Sequence, residues 1–561
     1  MSLRLAQMKP AAVWLSEQIA DAGITHVFFV EAILRQTLAE LSARGVRIVL
    51  PHTEKAAAYM ADGYARVSGH PGLCWAQSVG AANLAAGLQD AWLARSPLIA
   101  ITGRKLQQDQ DRNAYQEIDH AKAFSAVTRY SGYVSRTADL PRLLANAWRS
   151  MLAGVPRPVH LDVAGLMGEF IESAELDERN APSGLLAQIA RSAHPPLASQ
   201  VEAAACAIRT ARKIVIVCGT DAAQRQAGSA VITLATLLGA PIATTTGARA
   251  IIPTQHPLAI GTLGSYGMPV TNHIVHEADL VIAVGTQLND QNTHGWRIPA
   301  AHQALVHIDA DPCEPGRNYP GAISVIGDPK LTLEALAGRF AHAPADDSFA
   351  REAALAMLAW RKDAALARGS DASPIKVERL CADISSALAD DAIVVADTGY
   401  STIWTSTHLE FRASQTYLRA AGSLGWAFPA ALGAKCAAPQ RPVVCFAGDG
   451  AFYYHMAEIE TALRYKLPIT VVVNNNSGFG QDACNMVARG MPMAQVRQLA
   501  EFQSTDFAAI ARSFGANGIR VTSASEIAPA LRQSFVADKV TVIDVATDLL
   551  SRSPDPWAPA A

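Results

Sequence analysis

The sequence predicts an α/β protein of three doubly wound parallel-sheet domains, and three observations carry that prediction. Apolar runs of strand length alternate with amphipathic helical patterns along the chain, the order that yields parallel sheets covered by helices. Looser stretches rich in proline, glycine and polar residues, near 174–198 and 341–348, cut this alternation into three parts of ordinary domain size. At 561 residues, half of them hydrophobic and 17% charged, the chain is too long for one core and apolar enough for several.

The first part, 1–180, reads as a helix over 11–22, a strand over 26–30, a helix over 33–43, a strand over 46–50, a helix over 55–68 and a strand around Cys74-Trp75-Ala76. It closes on a strand over 158–162. The second part, 198–340, has strands over 213–219, 241–245, 279–285 and 305–309. The third part, 372–550, begins near Pro374. It carries a strand ending in the glycine turn Gly399-Tyr400-Ser401, then a strand over 443–447 feeding Gly448-Asp449-Gly450. A helical run over 451–465 and a strand over 469–473 follow, ending in Asn474-Asn475-Asn476-Ser477-Gly478.

A net charge of −3 gives no general electrostatic footprint for nucleic acid or an anionic membrane, so a small-molecule protein is expected. The eight cysteines are scattered, with no Cys-x-x-Cys pair and no compact Cys/His cluster. They read as mostly buried thiols in a reducing compartment rather than zinc ligands. No stretch resembles a signal peptide, and none reaches about 18 uninterrupted apolar residues. A cytoplasmic protein is the expectation.

Chemistry concentrates in the third part. Strand ends of a parallel sheet are where ligands sit, and adjacent strands bring Asp449 and Asn476 within reach of one ion. A carboxylate, an amide oxygen and a backbone carbonyl form an oxygen-only set suited to Mg²⁺ completed by phosphate oxygens and water. The flanking glycines let the backbone approach a diphosphate, and the helix N-terminus supplies N–H groups and dipole. Either motif alone reads as a simple turn or loop.

Together and in this order, the Gly448-Asp449-Gly450 and Asn474-to-Gly478 motifs resemble the fingerprint of thiamine diphosphate enzymes. The run Glu54-Lys55-Ala56-Ala57-Ala58-Tyr59-Met60-Ala61-Asp62-Gly63-Tyr64-Ala65-Arg66 resembles the glutamate-bearing helix of the acetolactate synthase, 2-hydroxyacyl-CoA lyase and oxalyl-CoA decarboxylase group. The resemblance implies pyrimidine-binding, central and diphosphate-binding domains, with thiamine diphosphate and Mg²⁺ as cofactors. Glu54 would exchange a proton with the aminopyrimidine ring and so favour the ylid; read alone, Glu54 is a helix N-terminal carboxylate favoured by the dipole. Leu424, in Gly422-Ser423-Leu424-Gly425-Trp426, would sit beneath the bent cofactor, or be a core leucine. Gly399, Tyr400, Ser401, Gly448, Gly450 and Ala451 would contact the diphosphate. Asp449, Asn476 and the Gly478 carbonyl would hold the metal. Asn475 is the alternative ligand; the family's spacing from the aspartate falls on Asn476.

Two further segments face the reacting carbon in the family, or are surface loops: Gln77-Ser78-Val79-Gly80-Ala81-Ala82-Asn83, and Tyr115-Gln116-Glu117, which places Gln116 near substrate. Departures bear on substrate. Phe29-Val30-Glu31-Ala32 replaces the Gly-x-Pro-Gly-Gly turn of acetolactate synthases, so Glu31 either enters the active site or caps the helix from Ile33. Gly285-Thr286-Gln287-Leu288-Asn289-Asp290-Gln291 lacks both arginines of their flavin-associated pattern, which makes FAD doubtful. His307-Ile308-Asp309-Ala310-Asp311 either holds ADP or another nucleotide by its ribose or is a vestigial dinucleotide fold. No adjacent histidine pair of the pyruvate decarboxylase kind is present, and no histidine follows His455, which disfavours simple aldehyde release.

The resemblance thus implies a carbon–carbon lyase or ligase working through a ylid and an enamine carbanion. The wording of the motifs points first to 2-hydroxyacyl-CoA cleavage or its reverse. An acetolactate synthase-like decarboxylating carboligase acting on pyruvate is the alternative, and a non-catalytic cofactor-binding assembly protein the remote one. The partners implied are a small-molecule substrate, either a 2-hydroxyacyl-CoA or a 2-keto acid, and further copies of the chain, with no nucleic acid and no membrane. A homodimer is the minimum and a homotetramer the expected assembly. The segment 479–502 and the tail after Ser551 are where substrate identity would be read.

Overall fold

The computed structural model describes residues 8–30, 33–177, 179–189, 193–341 and 346–559. Glu31 lies outside them. Three six-stranded sheets, each parallel throughout, form the framework. The chain falls into two compact units. The first comprises Met1–Ser192, Ala421–Gln440 and His455–Pro468; the second comprises Ala193–Ala420, Arg441–Tyr454 and Ile469–Ala561.

In the first unit the strand order is Arg47–Val49, His26–Val30, Gly72–Gln77, Leu98–Arg104, Val159–Ala164, Ser131–Val134. A short antiparallel pair joins Met8–Pro10 to Glu175–Asp177, inside the stretch that reads as a linker in the sequence. The helix Glu54–Ser68 illustrates how local sequence sets structure. Thr53 is its N-cap, accepting the Ala56 N–H at 3.0 Å, Glu54 sits in the first turn where the dipole favours an anion, and Gly69 ends it at φ +74°. Its small residues let it lie backbone to backbone on helix Ala427–Ala437: a Cβ on Gly63 would fall 2.0 Å from the Ala430 carbonyl oxygen, and one on Gly433 1.9 Å from that of Met60.

The second unit holds the other two sheets. One is ordered Ala259–Thr262, Ile242–Thr244, Ile214–Cys218, Leu280–Val284, Ala304–Asp309, Ile323–Ile326. The other is ordered Thr416–Arg419, Ile393–Ala396, Val443–Gly448, Thr470–Asn475, Thr541–Ala546, Asn517–Val521. Their central strands are covered on both faces and so read as unbroken apolar runs. Val471, Val472 and Val473 are wholly buried, each contributing roughly 1.5–3 kcal/mol relative to exposure.

One sequence expectation changes, and one element had no expectation. The helical run over 451–465 is two helices, Asp449–Tyr453 and Glu458–Arg464. The second is anchored in the first unit by Glu458, whose carboxylate accepts the His52 N–H at 3.0 Å and the Thr461 hydroxyl at 2.6 Å. A 21-residue helix, Ser348–Arg368, precedes Pro374; its polar, alanine-rich sequence carries little amphipathic signal. Among the described residues no helix is long and apolar enough to cross a membrane.

Candidate functional site

The diphosphate-type motifs meet at the C-terminal ends of three adjacent strands, Ile393–Ala396, Val443–Gly448 and Thr470–Asn475. Asp449 is 2% exposed. One of its carboxylate oxygens accepts the Gly450 N–H at 2.8 Å and the other the Gly478 N–H at 2.8 Å. The Asn476 amide oxygen accepts the same Gly478 N–H at 3.2 Å, so the two side-chain oxygens converge on one nitrogen. Asn475 is committed elsewhere: its amide nitrogen donates to Asp544 and to the Thr505 carbonyl, both at 2.9 Å. Gly450 lies against Phe479, where a Cβ would be 2.6 Å from the ring.

Burial pushes the Asp449 carboxyl up to about 6 against the pull of its backbone donors. Among the described residues no lysine, arginine or histidine forms an ion pair with it. A buried carboxylate beside an amide oxygen and lacking a cationic partner fits a hard divalent cation. The neighbouring loop turns at Gly399, whose φ of +61° and ψ of −136° suit only glycine, and starts helix Tyr400–His408. Ser401 is buried, and its hydroxyl is 3.7 Å from the Cβ position of Gly448. The loop and the N-terminus of the 400–408 helix therefore lie beside Gly448.

Glu54, in the first unit, is half-buried. Asn83 donates its amide to the Glu54 carboxylate at 3.1 Å, and a Cβ on Gly80 would be 2.6 Å from the other oxygen. The carboxylate is thus positioned by the 77–83 segment. That segment also meets the second predicted loop: the Ser78 hydroxyl donates to the Gln116 carbonyl at 2.6 Å, and the Gln77 amide to the Gln116 side chain at 3.4 Å. Gln116 is held at φ +62°, and its neighbour Tyr115 is exposed.

Leu424 is half-buried in a loop that needs a support outside its own segment. Asp90 supplies it. Its carboxylate accepts the N–H groups of Ala421, Gly422 and Ser423 at 2.9, 3.1 and 2.9 Å. The Arg66 guanidinium bridges Asp90, at 3.0 Å, and Asp62, and lies over the Trp426 ring at 4.5 Å. Trp426 donates its indole N–H to Asp62 at 2.9 Å. Burial, with Asp90 close by, holds the Asp62 carboxyl above the usual carboxylate range even with Arg66 bound. The sequence signal for Asp90 was an acid in the apolar stripe of helix Gly80–Leu93, facing no partner within its own segment.

In the central sheet, His307 hydrogen-bonds the Thr286 carbonyl at 2.8 Å, and wholly buried Asp309 accepts the Asp311 N–H at 2.8 Å. These contacts tie the turn to itself. Six of the eight cysteines are buried, while Cys206 and Cys313 are exposed.

Comparison with known proteins defines the class of the chain. Residues 10–123 match the thiamine pyrophosphate enzyme N-terminal TPP binding domain, 201–336 the central domain and 397–545 the C-terminal TPP binding domain. The acetolactate synthase large subunit of Corynebacterium glutamicum is 30% identical over 518 residues, covering 90% of this chain and 81% of that one. A probable acetolactate synthase large subunit of Methanococcus aeolicus is 27% identical over 529 residues, covering 89% and 85%. The probable 2-ketoarginine decarboxylase AruI of Pseudomonas aeruginosa is 30% identical over 559 residues, covering 97% and 96%. The chain belongs to the thiamine diphosphate-dependent enzymes of the acetolactate synthase group. These relatives favour the 2-keto acid reading over the 2-hydroxyacyl-CoA reading that the motif wording suggests.

Proposed function

We propose that the chain is a thiamine diphosphate- and Mg²⁺-dependent carboligase that decarboxylates a 2-keto acid, pyruvate in the first instance, and joins the fragment to a second carbonyl. The observation that carries this reading is the Glu54 carboxylate, fixed by Asn83 and backed by Gly80, in a family whose acetolactate synthases span nearly the whole chain. When bound, thiamine diphosphate supplies the electron sink that a 2-keto acid needs in order to lose CO₂. Asp449, Asn476 and Gly478 hold the cation, and Gly399, Tyr400, Ser401, Gly448, Gly450 and Ala451 bind the diphosphate. Glu54 holds and exchanges a proton at its carboxylate oxygen. Leu424 would pack against the cofactor, and Gln116 would orient substrate.

The active form is read as a homodimer at least, and a homotetramer in full, because the resemblance divides such sites between subunits. The relative named as a probable 2-ketoarginine decarboxylase favours a second reading, decarboxylation of a larger 2-keto acid with aldehyde release. The test is incubation of the purified protein with thiamine diphosphate, Mg²⁺ and a panel of 2-keto acids and 2-hydroxyacyl thioesters. Acetolactate from pyruvate supports the first reading, and CO₂ with aldehyde from a larger keto acid supports the second. Thioester cleavage with no 2-keto acid turnover would sink both.

A further inference from the structure

A cavity of about 280 Å³ lies within the second unit. Its walls come from helix Ser348–Arg368, from the C-terminal turn of helix Tyr400–His408 with the residues just after it, and from residues between Arg249 and Met268. Three guanidinium groups line it. Arg249 is 3% exposed and donates to two backbone carbonyls, those of Ser406 at 2.7 Å and Leu409 at 3.1 Å. Arg361 donates to the Thr254 carbonyl at 2.8 Å and the Gln255 side-chain oxygen at 3.2 Å. Arg368 donates to the His408 carbonyl and, at 3.1 Å, to Glu410. Glu410 is the only carboxylate among the residues lining the cavity, and its second oxygen already accepts the Gln255 amide at 3.0 Å.

His408 adds an independent observation. It is 3% exposed, and neither ring nitrogen finds a hydrogen-bond partner among the described residues. Its ring packs beside Trp360 and Trp404, with centroids 5.7 and 5.6 Å away. Burial pulls the His408 imidazole down to about 4, which leaves it neutral and able to donate one N–H.

A structural explanation accounts for part of this. Arg249 and Arg368 satisfy the carbonyls that end helix Tyr400–His408, as cations at a helix C-terminus do. It leaves the unsatisfied imidazole without a reason. It also leaves three cations facing one carboxylate, and a buried guanidinium with no anion is costly. Burial pulls Arg249 down to about 10, which expresses the same cost.

We propose that this cavity binds a small organic anion, a carboxylate or phosphate held by the guanidinium forks, with its body against Trp360, Met268 and Met357. The volume admits a compact metabolite. The site is separate from the candidate diphosphate loop, since the nine-residue helix between them sets Gly399 and His408 about 13.5 Å apart by its rise. The assignment stands without the reading of catalysis given above.

The test uses the full-length protein with isobutyrate, succinate and inorganic phosphate as probes, against sodium chloride at matched ionic strength and choline as a cationic control. At least one anion should raise the thermal midpoint saturably and quench tryptophan emission. Which arm responds separates carboxylate from phosphate. Arg361→Gln should weaken that response at least tenfold. Ala365→Trp, at an exposed position on the cavity rim, should abolish it without disturbing the fold. Trp360→Phe should diminish the quench and keep the thermal shift. The proposal is overturned by a response no larger than that of sodium chloride, or by an unchanged response in Arg361→Gln and Ala365→Trp.

Discussion

Replacing Gly433 by alanine tests how the helix that bears Glu54 is held. The added Cβ would fall 1.9 Å from the Met60 carbonyl oxygen, whereas real Cβ atoms essentially never come closer than 3.0 Å. The two helices must therefore part by roughly 1 Å, since the obstacle is backbone and no rotamer relieves it. A gap of that size forfeits about a quarter to a half of each dispersion contact along the seam. Overpacking adds about 1–3 kcal/mol, so a loss of about 3 kcal/mol or more is expected. The seam runs beside Met60, Gly63 and Ala430, and the same helix presents Glu54 in its first turn. Activity should therefore fall together with stability. The assay is a urea titration followed by tryptophan emission and far-ultraviolet circular dichroism, paired with turnover. Gly321→Ala, at an open position with ordinary φ, is the control and should stay within about 0.5 kcal/mol. A Gly433→Ala protein as stable and active as the parent would refute the backbone-to-backbone seam.

Three further outcomes follow from the same geometry. Asn475→Ala should cost about 2 kcal/mol by leaving one Asp544 oxygen and the Thr505 carbonyl without this donor, while Asn476→Ala should leave stability alone and raise the Mg²⁺ needed for half-maximal activity at least tenfold, by roughly the loss of one ligand; the reverse pattern would exchange their roles. Asp90→Asn places an amide N–H against backbone donors and breaks the Arg66 pair, so about 3 kcal/mol should be lost, with turnover falling further as the Leu424 loop loosens; wild-type behaviour in thermal and kinetic assays would show that Asp90 does not support the loop. Burial pulls His408 and His455 from 6.5 to about 4, so the unfolded chain takes up protons that the folded chain refuses. Their stability contribution is full above about pH 6.5 and is lost as pH falls toward 4, about 2 kcal/mol each by pH 5. His408→Phe should move the acid-unfolding midpoint downward and leave the urea midpoint at pH 8 within error; an unmoved acid midpoint would contradict the burial argument.

Much of the fold was legible because buried parallel strands write themselves as unbroken apolar runs, as in Val443-Val444-Cys445-Phe446-Ala447 and Thr470-Val471-Val472-Val473. The break after Tyr453 was not, because helical periodicity continues through it, and the second helix is held by Glu458 bonding the His52 N–H, a contact between distant segments. In the site, Asp449 and Glu54 announced themselves as charged residues at strand ends. The Asp62, Arg66 and Asp90 network stayed hidden, since Asp90 acts on backbone N–H groups at 421–423 and those carry no side-chain signature. The choice between Asn475 and Asn476 was open for a related reason: consecutive strand residues point to opposite faces, and only the neighbouring strand shows which face meets Asp449.

The most direct test of the central claim is the exchange rate of the cofactor's thiazolium C2 proton, measured by NMR after rapid quench with thiamine diphosphate and Mg²⁺ bound to the parent protein and to Glu54→Gln. Proton transfer by a positioned carboxylate is worth about 10²–10⁴-fold, so exchange in Glu54→Gln should be slower by at least about a hundredfold while both cofactors still bind. Equal exchange rates in the two proteins, with cofactor bound in each, would contradict the account.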